Sequence, residues 1–139
     1  IVGELESLGD SGEAISRLID RAIVHEQKLS AEHRQSLDEM TELVARAYDA
    51  MVYNLENAST INDIDNAIEA EVDINNKRNI LRDKEIQRVE SNGDAYFESV
   101  LYLNLIEKLE DMGDFIINIS QAVESWRTKR PGLSSAWDD

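Results

Sequence analysis

Apolar residues return at alternating steps of three and four along most of the chain, the period of a helix that buries one stripe. Leu5, Leu8, Gly12, Ile15, Ile19 and Ala22 predict a first helix over about residues 2–27. Ser30 is placed to cap a second, whose stripe is Leu37, Met40, Val44, Ala47, Met51, Leu55 and Ala58. Ser59 and Thr60 mark a turn, with Thr60 and Asp63 spaced as a capping pair. A third helix is expected from about Ile61 to Ser91. It opens apolar with Ile61, Ile64, Ile68 and Val72, but the same phase then meets Asn75, Asn79 and Arg82 before Ile86 and Val89. Its middle is poorly suited to a dry core. Asn92-Gly93 is a stop and Asp94 a start cap for a fourth helix, whose stripe is Leu105, Leu109, Met112, Ile116, Ile119, Val123 and Trp126. Pro131 and Gly132 end it.

Four long helices with short connections predict an all-α, elongated, antiparallel up-down four-helix bundle over residues 1–130, with a loose C-terminal tail over 131–139. A helix of ~30 residues is roughly 45 Å long, so the bundle is a rod. Glycine occurs six times and proline once, too little punctuation for a β-protein. The 139 residues suit one domain, and with no cysteine there is no disulfide, thiolate metal site or thiol catalysis.

The formal net charge is −15, which repels nucleic-acid backbones, anionic lipid heads and free phosphate, and favours cations or basic protein surfaces. No apolar stretch reaches the ~18 residues of a membrane span, so direct membrane insertion of this segment is not expected. The chain opens at Ile1 inside a helical pattern, which reads as a segment of something longer.

The sequence also repeats itself. Residues 5–16 read LESLGDSGEAIS and residues 109–120 read LEDMGDFIINIS, with Leu, Glu, Gly, Asp, Ile and Ser identical at six of the twelve places. Glu6 and Asp10 stand one and five positions after the stripe residue Leu5, and Glu110 and Asp114 hold the same relation to Leu109. Each pair shares one helix face and is expected to point outward, off the apolar seam. Gly9 and Gly113 stand beside the seam, where a missing Cβ admits a close neighbour.

This duplicated L-E-x-[LM]-G-D string resembles the E-x-x-x-D signature of PhoU-type proteins. The stretches IEAEVDINNKRNILRDKEIQRV and NLIEKLEDMGDFIINI resemble most the PhoU-like domain behind the membrane part of bacterial sodium/phosphate cotransporters. The resemblance covers about residues 1–126. It implies that the first helix closes one three-helix repeat and that the other three form the next. It further implies a cytoplasmic regulatory domain on the inner membrane, partnered by the transmembrane portion of its own parent chain, acting in phosphate transport without turnover. The chain departs from the family in placing Ser7 and Asp111 after the motif glutamates, where a basic residue is usual, and Ser11 and Phe115 after the motif aspartates, where histidine is common.

By that resemblance Glu6, Asp10, Glu110 and Asp114 are candidate metal ligands. Oxygen ligands of this kind suit Fe, Mg, Mn or Ca. A solvated acidic face is the plain alternative. Asp65, Glu69 and Asp73 make a second acidic ridge, relieved by a cation or by Arg78 or Arg82, and Glu69 and Asp73 are secondary ligand candidates. His25 and His33 lie at the first junction and read as exposed linker residues; Tyr48, Tyr53, Tyr96, Tyr102 and Trp126 read as core or seam packing. No HExxH, phosphate-binding glycine loop or nucleophile elbow is present, and no catalytic residue is expected. Two other functions compete: a structural dimerisation bundle, with a second copy as partner through the polar mid-segment of the third helix, and a carboxylate-bridged metalloenzyme. The latter wants inward glutamates and Glu-x-x-His motifs, which this chain lacks.

Overall fold

The computed structural model describes residues 2–24, 29–91 and 96–129. They form four helices: α1 (Val2–Val24), α2 (Ala31–Glu56), α3 (Asp65–Ser91) and α4 (Tyr96–Lys129). At 1.5 Å per residue the 34 residues of α4 span about 51 Å, so the bundle is elongated as expected. Trp126 (its side chain), His25, the Asn92-Gly93-Asp94 junction and the tail fall outside what is described.

Local signals start and stop the helices. Ser30, in extended backbone, caps α2 by accepting the His33 N–H at 3.1 Å. At the other end the Asn57 N–H closes onto the Tyr53 carbonyl, and the Thr60 and Ile61 N–H groups close onto Asn57. The Thr60–Asp63 pair does not cap α3. Instead the Asp63 carboxylate accepts the Asp65 N–H at 3.0 Å, and α3 begins at Asp65 rather than Ile61. Ile61 and Ile64 remain buried, seated in the connection with Ala67, Ile117 and Val123.

The side-chain pairs give the directions. Glu32–Lys84, Glu39–Lys77, Arg46–Asp73 and Asn54–Asn66 run oppositely along α2 and α3. Glu85–Ser99, Arg78–Glu110 and Ile74–Gly113 do the same for α3 and α4. Thus α2 and α4 are parallel to one another and α3 is antiparallel to both. The three pack mutually, and α1 packs on α4 alone among the described helices. The bundle is therefore a triangular α2–α3–α4 unit with α1 laid along the outside of α4.

The main core combines Met40, Val44, Ala47 and Met51 of α2, Ala70, Ile74 and Leu81 of α3, and Leu109, Ile116 and Ile119 of α4. Each large aliphatic side chain buried here is worth about 1.5–3 kcal/mol. The α2 stripe lies where its periodicity places it from Leu37 to Met51, but Leu55 near its end is exposed, and the α4 stripe does so from Leu105 to Val123. The α3 stripe does not. Its buried face is Ala67, Ala70, Ile74, Leu81 and Glu85, while Ile68, Val72 and Ile86 of the expected seam are exposed. Small alanines let α3 approach its neighbours closely, and the larger aliphatics are left on its flank. On α1, Leu5 is 45% exposed and Ile19 is 47% exposed, because one neighbouring helix covers only part of the stripe. Leu8 and Ile15 are half-buried against the core. Tyr102 is buried as expected, but Tyr48, Tyr53 and Tyr96 are exposed.

Candidate functional site

The two copies of the acidic motif occupy different environments. On α1, Glu6 and Asp10 are exposed. A Cβ added to Gly9 would meet nothing within 4 Å. On α4, Glu110 and Asp114 are half-buried rather than outward, because α3 lies over that edge of the motif. Gly113 takes Ile74 against its backbone, and the Arg78 guanidinium donates to Glu110 at 2.5 Å. Burial pushes the Glu110 carboxyl above its ordinary range; Arg78 opposes this, while Asp114 and Asp111 add to it. Asp114 is pushed up as well, by burial first and then by Glu71 and Asp111.

The two motif pairs lie apart, Glu6 and Asp10 on α1 and Glu110 and Asp114 on α4. Among the described residues no three His, Cys, Asp or Glu side chains stand together as a ligand group. Arg78 already fills the place in front of Glu110 that a cation would take. Asp73 pairs with Arg46 across to α2, rather than with Arg78 or Arg82, and Asp65 and Glu69 stay exposed.

Among the described residues a dense polar cluster lies elsewhere, at the end of the bundle where α2 and α4 begin and α3 nears its end. His33 is only 4% exposed, against the expectation of an exposed linker residue. Its Nε2 lies 2.6 Å from Glu85 Oε2, and its Nδ1 lies 2.8 Å from Glu98 Oε1. Glu85 is 3% exposed; its Oε1 accepts from Arg88 Nε and from Ser99 Oγ, both at 2.8 Å. Glu98 Oε1 also accepts the backbone N–H of Ser30 at 2.8 Å. The imidazole stacks on the Tyr102 ring with centroids 4.0 Å apart. Burial works against the Glu85 carboxylate, but hydrogen bonds from Arg88, Ser99 and His33 outweigh it and hold the group below the usual carboxylate range. Burial also pushes the Tyr102 phenol up, partly offset by its bond with Ser36. A cavity of about 170 Å³ opens beside the cluster, lined by His33, Ser36, Lys84, Glu85, Arg88 and Tyr102, with the Lys84–Glu32 ion pair nearby.

Serine, histidine and glutamate all meet here, yet the order is wrong for nucleophilic catalysis. The Ser99 hydroxyl donates to Glu85, not to the imidazole, and both imidazole nitrogens are occupied by carboxylates. The carboxylate that accepts the Ser99 hydrogen is already bound by Arg88 and His33. The arrangement is built to hold three helices together at one point.

The sequence does contain a signal for this cluster. His33 precedes the core residue Met40 by seven, Glu85 follows Leu81 by four, and Ser99 precedes Tyr102 by three. All three polar residues are in phase with a core stripe. The stripe read on the third helix runs through Arg82, Ile86 and Val89, off the face of Glu85, and those read on the second and fourth helices begin at Leu37 and Leu105, after His33 and Ser99.

No known protein family, curated protein or solved structure matches this chain in comparisons of sequence and fold.

Proposed function

We propose that this chain is a PhoU-like regulatory module of a sodium-dependent phosphate cotransporter, working on the cytoplasmic side by binding and conformational response rather than by turnover. The observation that carries this reading is the duplicated motif in two unequal settings. The α4 copy is enclosed, with Leu109 buried, Gly113 under Ile74 and Glu110 on Arg78. The α1 copy has the same residues in the same phase but Leu5 and Gly9 uncovered. That is what one complete three-helix repeat beside the closing helix of another looks like, and it supports the PhoU-like resemblance of the motif. No described helix is long and apolar enough to cross a membrane, so transport itself falls to other parts of the parent.

The test is deletion of this segment from the full-length gene product, followed by sodium-driven phosphate uptake in cells grown with scarce and abundant phosphate. Uptake that persists but no longer responds to phosphate supply is the expected result. A parent that transports no phosphate, or uptake regulated as before, overturns the reading.

A structural dimerisation bundle is the second reading, favoured by the exposed Ile68, Val72 and Ile86 on the outer flank of α3. Sedimentation of the chain against an Ile68→Asp/Ile86→Asp variant decides it: a dimer lost in the variant supports it, and a monomer at all concentrations rejects it.

A further inference from the structure

The node around His33 carries an inference that does not rest on the phosphate reading. Carboxylate oxygens only accept hydrogen bonds, and an imidazole nitrogen donates only when it carries hydrogen. Both ring nitrogens of His33 stand within hydrogen-bond distance of carboxylate oxygens, Glu85 on one side and Glu98 on the other. Both contacts are hydrogen bonds only for the doubly protonated ring. With one hydrogen removed, a nitrogen lone pair faces a carboxylate at under 3 Å, and one side must open.

The two sides are unequal. Glu85 is buried and held in addition by Arg88 and Ser99. Glu98 has a side chain 27% exposed, and its other bond is to the Ser30 N–H at the cap of α2. Opening therefore takes place at Glu98, which can turn to water. Its departure frees both the start of α4 and the cap of α2.

We propose that His33, Glu85 and Glu98 form a proton-operated latch, closed when the imidazole carries both hydrogens and open at Glu98 when it loses one. The charged and titratable groups around the ring are Glu32 of α2, Lys84, Glu85 and Arg88 of α3, and Glu98 and Tyr102 of α4. Acid closes the latch and base opens it. The turn it releases carries Tyr96, Phe97 and Val100, which are exposed apolar residues at the start of α4, so opening alters how that patch is presented.

The test uses the full chain, ¹⁵N-labelled, from about pH 5 to 9, the range in which histidines titrate. Ring ¹⁵N shifts count the hydrogens on His33, and amide exchange, corrected for its intrinsic pH dependence, follows Ser30. Two ring hydrogens at low pH, and a Ser30 amide at least tenfold less protected once one is lost, are expected. In Glu98→Ala the Ser30 amide exchanges quickly at every pH and the step disappears. A ring with a single hydrogen throughout this range overturns the latch, as does loss of the second hydrogen with no change at Ser30. The decisive readouts come from the unsubstituted chain, so the test survives if a variant fails to fold.

Discussion

Gly113 and Ile74 meet where α3 crosses α4: a Cβ built on the glycine would lie 3.0 Å from Ile74 Cδ1. Ile74 is 1% exposed and has little room to give way. At Gly9, the same place in the other copy of the motif, nothing lies within 4 Å. Alanine gains up to about 1 kcal/mol over glycine inside a helix, whereas overpacking a core costs about 1–3 kcal/mol. Gly9→Ala should therefore raise the stability of this chain in urea, and Gly113→Ala should leave it unchanged or lower it. Equal gains at both positions would show that Ile74 is not seated on Gly113.

Leucine at the matching places Leu5 and Leu109 makes a second contrast. Leu109 is buried among α2, α3 and α4, so Leu109→Ala should cost about 2–5 kcal/mol. Leu5 is nearly half exposed, and Leu5→Ala should cost less than about 1 kcal/mol. A similar loss at both sites in urea melts would mean that α1 is covered more fully than α4 alone can cover it.

The four helices, their order and most of the α2 and α4 core stripes were legible in the sequence, because residues such as Met40, Val44 and Met51 or Leu105, Leu109, Ile116 and Ile119 recur at the helical period; Leu55, in the same phase, is exposed. On α3 the letters misled. Ile68, Val72 and Ile86 outweigh Ala67 and Ala70 as letters, but packing rewards close approach as well as apolar area, and the alanines face inward. The acidic motif was legible as a repeat, yet its setting was not, since Glu6 and Glu110 share one local sequence and differ only in what lies across from them. The His33 node was missed because its partners stand 52 and 65 residues away, and no local spacing reports such a contact.

Acid titration separates two carboxylates of opposite sense, the half-buried Asp114 and the buried Glu85. Asp114 has its folded-state value raised, so the folded chain holds its proton more tightly than the unfolded chain. Its contribution is present below about pH 4 and lost as the pH rises through the folded value. Asp114→Asn should accordingly stabilise the chain at neutral pH, with an advantage that fades toward acid. Glu85 has its folded-state value lowered, so its contribution is present above about pH 4.5 and lost as the pH falls. Glu85→Gln should cost about 3 kcal/mol near neutrality, as breaking a buried ion pair does, and progressively less in acid. Urea midpoints of both variants at pH values on either side of these ranges check the signs.

Arg78 neutralises Glu110 in place of any cation, so Mn²⁺ should bind the chelator-treated chain weakly at the α4 motif. Arg78→Gln should tighten that binding several-fold, and adding Glu110→Gln and Asp114→Asn should abolish the gain. Calorimetric titration of the three forms is the measurement. Equal Mn²⁺ affinity in all of them would assign any bound cation to other acids of the surface.

The position of α1 on the outside of α4 has a consequence for how the chain comes apart. Removing α2 or α3 breaks two helix interfaces and removing α4 breaks three, whereas α1 is released by breaking one. α1 should therefore lift off first, and its amides should exchange ahead of those in the triangular core. A molecule whose α1 has lifted off exposes the strip of α4 it covered, and at high concentration the α1 of a second molecule can settle there, so that two chains trade an element without either changing its fold.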